Sequence, residues 1–393
     1  MWPKASIIVA GMVGAAVLVL PSTAGAAAIG HGSEVVPAVA GVPPTVSSVV
    51  DLGPITQNRA VTSRDGLFSG DISGKSVWTF GDTFLKVPNG QGSTSDDNSM
   101  AWTTNLDGSA GLDLNHDYTG GSSVDAPEQY LPFTQAELTF NEEHAGSGTS
   151  CQVQPCGEEY ALWNGPVVPD PTQNRALLFY YELLRTVGQS TWTAVGVGIA
   201  TWTAGSAPVR PIESPGSANP TLLFDGTDPD FADGATVVGS MLYVYGCTAG
   251  FLVQNCDVAR VPVAEATAQS AWRYFAGNGV WSPELSQAVT DFQGGAAGTS
   301  VTWLPYLDEY QAIYMPPFAN EIVQRVAPEP WGPWSAASNV AATATPASGD
   351  TDYAGMAHAE FAQDDGQVQY VAYYQPLGGL NAEDHWVQIT FGS

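Results

Sequence analysis

Four aspartates stand at points where a carboxyl group could give or take a proton. Asp65 follows Arg64 and precedes Gly66, while Asp82 closes an apolar run in Phe80-Gly81-Asp82-Thr83. Asp228 and Asp230 flank a proline in Gly226-Thr227-Asp228-Pro229-Asp230. If that segment is extended, both face one side of the chain, and Pro229 biases Asp228 towards such geometry. Carboxyl groups in unequal surroundings divide labour: burial or a like charge keeps the proton on one, and a neighbouring cation keeps the other ionised. Asp65 is the expected base or nucleophile, with Arg64 holding it ionised. Asp228 or Asp230 is the expected acid, and Asp82 a further catalytic candidate. Each has a structural alternative: a turn cap at Asp65, a buried anchor at Asp82, and a turn or calcium-binding loop at 228–230. No cofactor is expected, with calcium the one cation considered, because five scattered histidines argue against a histidine metal site.

The elements that must position these groups are short strands. β-Branched and aromatic runs recur between Gly, Pro, Asn and Asp turns: Ser76–Phe80, Arg175–Tyr181, Ser240–Tyr245, Tyr310–Met315 and Gln367–Tyr374. Each precedes a further strand, over Met100–Thr103, Val195–Trp202, Val258–Val263, Ile322–Val326 and Trp386–Phe391. Five such units predict an all-β, five-bladed β-propeller, with a β-sandwich carrying long insertions as the alternative. Val46–Leu52 is expected to close the ring against the last blade, and residues 104–159 to form a long insertion. Within it Glu142-Glu143-His144 reads as a solvated loop.

The chain has 393 residues and a formal net charge of −28, with 11 Lys+Arg against 39 Asp+Glu. That excludes phosphate-backbone binding, which needs clustered cations, so no nucleic-acid partner is expected. Lys4, the apolar run Ile7–Leu20 and the small residues around Ala24–Ala28 have the layout of a secretory signal over residues 1–28. Residues 29–50 read as a flexible lead-in and 51–393 as one propeller domain. The mature chain should be monomeric, span no membrane, and lie outside the cell or in its envelope. There Cys151/Cys156 and Cys247/Cys256 should form two local disulfides.

Ser63-Arg64-Asp65-Gly66-Leu67-Phe68-Ser69-Gly70, followed by Val77-Trp78-Thr79-Phe80-Gly81-Asp82-Thr83, resembles the opening blade of a secreted family described as domain of unknown function 4185. Ser270-Ala271-Trp272-Arg273-Tyr274 and Ala327-Pro328-Glu329-Pro330-Trp331-Gly332-Pro333-Trp334-Ser335 are similar to later segments of that family. The resemblance runs from about Asp51 to the C-terminus. It implies a five-bladed propeller of the endo-D-arabinanase type, glycoside hydrolase family 183, acting on D-arabinofuranosyl chains of envelope arabinogalactan or lipoarabinomannan. Glycoside hydrolysis needs one protonated carboxyl group and one carboxylate. Arg64, Trp163, Asn164, Trp303 and His358 would then bind sugar, the tryptophans as stacking platforms and the others through hydroxyls. A non-catalytic polysaccharide-binding propeller is the alternative function. Sialidase chemistry fits poorly with so few cations, and no G-x-S-x-G stretch supports a serine nucleophile.

Overall fold

A computed structural model describes residues 40–146, 151–187, 191–248, 254–295, 297–344, 346 and 349–392. The expected secretory signal lies outside the described residues, as does the start of the lead-in.

Among the described residues, five antiparallel sheets form blades around a common axis, and a sixth, small sheet sets Thr83–Leu85 between Val61–Arg64 and Ser95–Asp96. The innermost strands are Phe68–Asp71, Glu158–Asp170, Asp230–Val238, Thr299–Leu304 and Tyr353–Ala357, in blades 1 to 5 respectively. Blade 1 continues outward through Ser76–Phe80, Ser99–Thr103 and His116–Asp117, and blade 2 through Arg175–Thr186, Trp192–Trp202 and Phe224–Asp225. The second and third strands of every blade coincide with the paired runs read from the sequence. These are nearly continuous apolar segments because both faces of a middle strand pack on neighbouring blades. Val77, Trp78, Phe80, Leu177, Phe179, Leu242, Val244, Ala312, Ile313, Tyr370 and Val371 are all buried. The chain is a five-bladed β-propeller.

Val46–Pro54 pairs antiparallel with Asn381–Phe391, so the segment ahead of blade 1 becomes the outer strand of blade 5. Closure in this way ties the two ends of the ring together within one sheet. Both cysteine pairs form disulfides, Cys151–Cys156 and Cys247–Cys256. The second bridges directly opposed residues on the second and third strands of blade 3.

The 104–159 insertion is more ordered than expected. It supplies the outer strand of blade 1 and a helix, Gln135–His144, so Glu142-Glu143-His144 belongs to a helix end and not to a solvated loop. Thr134 caps the helix reciprocally with Glu137: the Glu137 amide donates to Thr134 Oγ1, and the Thr134 amide donates to Glu137 Oε2. Glu137 also receives Arg210 Nη1 at 2.6 Å, and Arg210 Nη2 reaches Glu182 at 2.8 Å. This buried fork fastens the helix to the second strand of blade 2. Asn98 fixes the chain before the helix, its carboxamide oxygen accepting from the Tyr130 and Leu131 amides and its NH2 donating to the Leu162 carbonyl.

Candidate active site

All five inner strands run the same way along the axis, so their beginnings share one end of the ring. Asp65 lies there, just before the inner strand of blade 1, and Gly66 behind it takes φ +88°, a conformation that favours glycine. The Gly81 amide donates to the Asp65 carbonyl at 2.8 Å, which brings the Phe80-Gly81-Asp82 corner against Asp65. A side chain at Gly81 would sit 2.6 Å from Asp65 Oδ1 and 3.2 Å from Asn164 Oδ1. Glycine is therefore required for the two carboxyl groups and the asparagine to converge.

Asp65 Oδ2 accepts from the Tyr353 hydroxyl at 2.6 Å, so blade 5 contributes directly to a blade 1 acid. Asn164 donates to the Gly66 carbonyl at 3.2 Å and the Thr79 carbonyl at 2.7 Å, which locks blade 2 onto the same corner. Asp82 Oδ1 accepts from Trp163 Nε1 at 3.0 Å and faces Arg185 Nη1 at 3.4 Å. Arg185 then reaches Asp97 Oδ1 at 2.7 Å and Glu159 Oε1 at 2.8 Å. One guanidinium thus serves three carboxylates, with Asp65 as a fourth acid close by. Trp192, 49% exposed, stands edge-on to Trp163 with ring centroids 5.6 Å apart.

Electrostatics separate the two central carboxyls. Burial, then the charge of Asp82, pushes the Asp65 pKa up to about 7, against a smaller opposing effect of the Tyr353 hydrogen bond. Burial also raises Asp82, but Arg185 and the Trp163 N–H work to keep it ionised. About a third of the Asp82 side chain stays open to solvent. Asp97 is raised to about 7, chiefly by burial, with Arg185 opposing. The arrangement is an acid that holds its proton near neutrality beside a carboxylate with a cation of its own.

The remaining expectations are distributed elsewhere. Arg64 does not support Asp65 or reach a ligand. Neighbours on an extended chain point to opposite sides, and its fully buried side chain bonds Asp117 at 2.7 Å and Gln57 at 2.6 Å beneath the Phe80 ring. Arg64→Met should strand Asp117 as a buried, unpaired charge and cost about 3–5 kcal/mol of stability, measurable by urea unfolding. Asp228 is a turn residue outside the inner strand, accepting from the Asp225 amide at 3.0 Å. Asp230 opens the blade 3 inner strand near Asp233 and Tyr181, with its pKa lifted to about 6 by burial. Trp303 and His358 lie towards the opposite ends of their blades from Asp65. Trp303 is 39% exposed near the end of the blade 4 inner strand. His358 is buried after the blade 5 inner strand, stacked on Trp78 at 4.1 Å. Of the residues singled out from sequence, the corner therefore unites Asp65, Asp82, Trp163 and Asn164.

Arg185, Glu159, Tyr353 and Trp192 complete the corner, and none of them is among the site residues expected from the sequence. A cation inside an apolar strand of a chain with 11 Lys+Arg was the available signal for Arg185. Among the described residues no group of His, Cys, Asp or Glu has the arrangement of a metal site.

Residues 187–374 match the model of the family described as "Domain of unknown function (DUF4185)". The match starts inside blade 2, so the opening motif that carries the resemblance lies ahead of it. No match was found among curated protein sequences. Among solved structures, a "putative hydrolase from Bacteroides ovatus ATCC 8483" is similar at TM-score 0.58 and 14% identity, over 84% of this chain and 86% of that one. That likeness concerns the fold. The catalytic domain of a Coprinopsis cinerea GH62 α-L-arabinofuranosidase aligns at TM-score 0.44 and 10% identity, over 88% and 98%. A Zobellia galactanivorans family 117 glycoside hydrolase aligns at TM-score 0.46 and 12% identity, over 88% and 91%.

Proposed function

From a propeller of the DUF4185 type, we propose a secreted glycoside hydrolase that cuts D-arabinofuranosyl linkages in envelope arabinan. The observation that carries this reading is the Asp65–Asp82 corner, where one carboxyl keeps its proton to about pH 7 and its neighbour is held towards ionisation by Arg185. Asp65 passes its proton to the glycosidic oxygen as the bond from C1 to that oxygen breaks. Asp82 faces the positive charge that develops on the ring and takes a proton from the water attacking C1. Glu159, 2.8 Å from Arg185, places a further carboxyl group on the same side, where it favours an oxocarbenium-like transition state. Trp163 and Trp192 offer stacking faces for sugar beside Asp82, and Asn164 stiffens the corner.

This assignment reverses the role first expected of Asp65 and moves the partner acid from the 228–230 loop to Asp82. Like charges at close quarters cannot both ionise easily, and Arg185 favours Asp82 as the one that does. The test is incubation of the purified full-length protein with mycobacterial-type arabinogalactan, with L-arabinan and xylan as comparators. Soluble arabinose oligosaccharides from the first substrate alone are the expected products. Binding to arabinogalactan without any released sugar would instead favour a non-catalytic envelope-binding propeller.

A further inference from the structure

The inner strands border a cavity that contains none of the corner's residues. It encloses about 720 Å³ and is lined by residues 67–71, 166–169, 234–239, 299–303 and 356–360, on or beside all five inner strands, with Tyr310. That volume suits a small organic ligand, for which pockets run from about 300 to 1,000 Å³. Phe68 forms part of its wall where blades 1, 4 and 5 meet: a side chain at Gly298 would lie 3.1 Å from the Phe68 ring and 2.5 Å from Met356 Sδ.

We propose that this cavity is a second, non-catalytic binding site for a neutral sugar or short glycan, with Trp303 as its platform. No Lys or Arg lines it, and the buried His358 stays neutral, so an anion would find no counter-charge. The two carboxyl groups lining the cavity already serve the fold: Glu360 Oε1 accepts from the Ser69 and Ser76 hydroxyls at 2.6 Å each, and Asp71 Oδ1 accepts from the Gly74 amide at 2.7 Å. Trp303 is an open aromatic face at the border, set edge-on to Tyr310 at 4.9 Å. Two residues bordering the cavity also carry unpaired polar atoms: Thr299 Oγ1 and His358 Nε2 have no partner among the described residues, though both side chains are almost fully buried. The state of His358 follows from its neighbours. Ser69 gives its hydroxyl hydrogen to Glu360, so His358 Nδ1 must donate to Ser69 Oγ across 2.6 Å, which leaves Nε2 a bare acceptor. An uncharged, hydroxyl-bearing ligand matches a border with an open aromatic platform and no Lys or Arg.

The proposal does not require the corner to be catalytic, and one experiment separates the two. Full-length protein labelled with 5-fluorotryptophan is followed by fluorine NMR, with the Trp303, Trp163 and Trp192 signals assigned through single Trp→Phe variants. The probes are a short D-arabinofuranosyl oligosaccharide, a sulfated oligosaccharide and spermidine. The neutral sugar should shift the Trp303 signal saturably, and the shift should persist in Trp163→Ala. A shift confined to Trp163 and Trp192 would overturn the second site while leaving the corner intact. A Trp303 response to spermidine or the sulfated probe in preference to the neutral sugar would overturn the ligand class. Loss of the Trp303 shift in Trp163→Ala would show that Trp303 merely reports binding at the corner, and would also overturn the proposal.

Discussion

Asp65→Asn should lower hydrolysis of arabinan about 10³–10⁴-fold while leaving binding of the polymer intact. The size follows from removing a positioned proton donor, whose contribution commonly spans about 10²–10⁴. Asparagine keeps the shape and can still accept from Tyr353 through its carbonyl oxygen, so the blade 1–blade 5 contact survives. Released reducing ends report the activity, and retention on immobilised arabinogalactan reports binding. The same substitution should also stabilise the fold, in a pH-dependent way. Asp65 has a folded pKa near 7, above that of an unfolded-chain aspartate, so its contribution to stability is complete at low pH and is lost as pH rises towards and through 7. Asp65→Asn should therefore raise Tm more at pH 8 than at pH 5, because the cost of ionising Asp65 grows from about pH 4 to about pH 7. Greater stability with lost activity is the mark of strain kept for function. A mutant that lost both would point to a purely structural carboxyl.

Arg185→Met should be the second large effect, a fall of about 10²–10³-fold in kcat with a smaller change in KM, as for loss of one preorganised electrostatic partner. Arg185 is the shared counter-ion of Asp82, Asp97 and Glu159. Without it, repulsion among the three favours protonation, and Asp82 ionises only at higher pH. The acidic limb of the rate profile should then move upward, while the alkaline limb, set by Asp65 losing its proton near pH 7, stays close to its place. The active window narrows from its acid side. Arg185→Lys should recover part of the rate, because it restores the charge without the fork that spans three carboxylates. Steady-state rates from pH 4 to 9 for the three proteins decide the matter, and parallel profiles that differ only in height would contradict the assignment.

The fold was legible because propeller strands are written as apolar runs between turn residues. Ser76–Phe80 is such a run, and the structure returns it with the same bounds. Closure by the segment from Val46 was equally readable, since a strand-like stretch ahead of the first blade has nowhere else to pair. The helix over Gln135–His144 was missed because its sequence has little apolar periodicity. It is held instead by its cap and by the Glu137–Arg210 fork, and neither shows in a hydrophobic pattern. At the corner, Asp65 and Asp82 stood out through the glycines beside them. Their partners did not, because Tyr353 is 288 residues from Asp65 along the chain and Arg185 sits half-buried near the end of a strand that otherwise reads as core. Trp303 and His358 show the complementary limit. Being near an inner strand fixes a residue close to the axis, but which end it faces depends on its position along that strand, and their positions put them at the far mouth.

The account rests on a proton that stays on Asp65 because burial, and then the charge of Asp82 beside it, holds that carboxyl above the ordinary aspartate range. Carbon-13 NMR of the Asp65 side-chain carboxyl, followed from pH 3 to 9 in the native protein and in Asp82→Asn, measures that proton directly. The expected midpoint is near 7 in the native protein, moving towards the ordinary aspartate range when Asp82 loses its charge. A midpoint near 4 in both proteins would contradict the account.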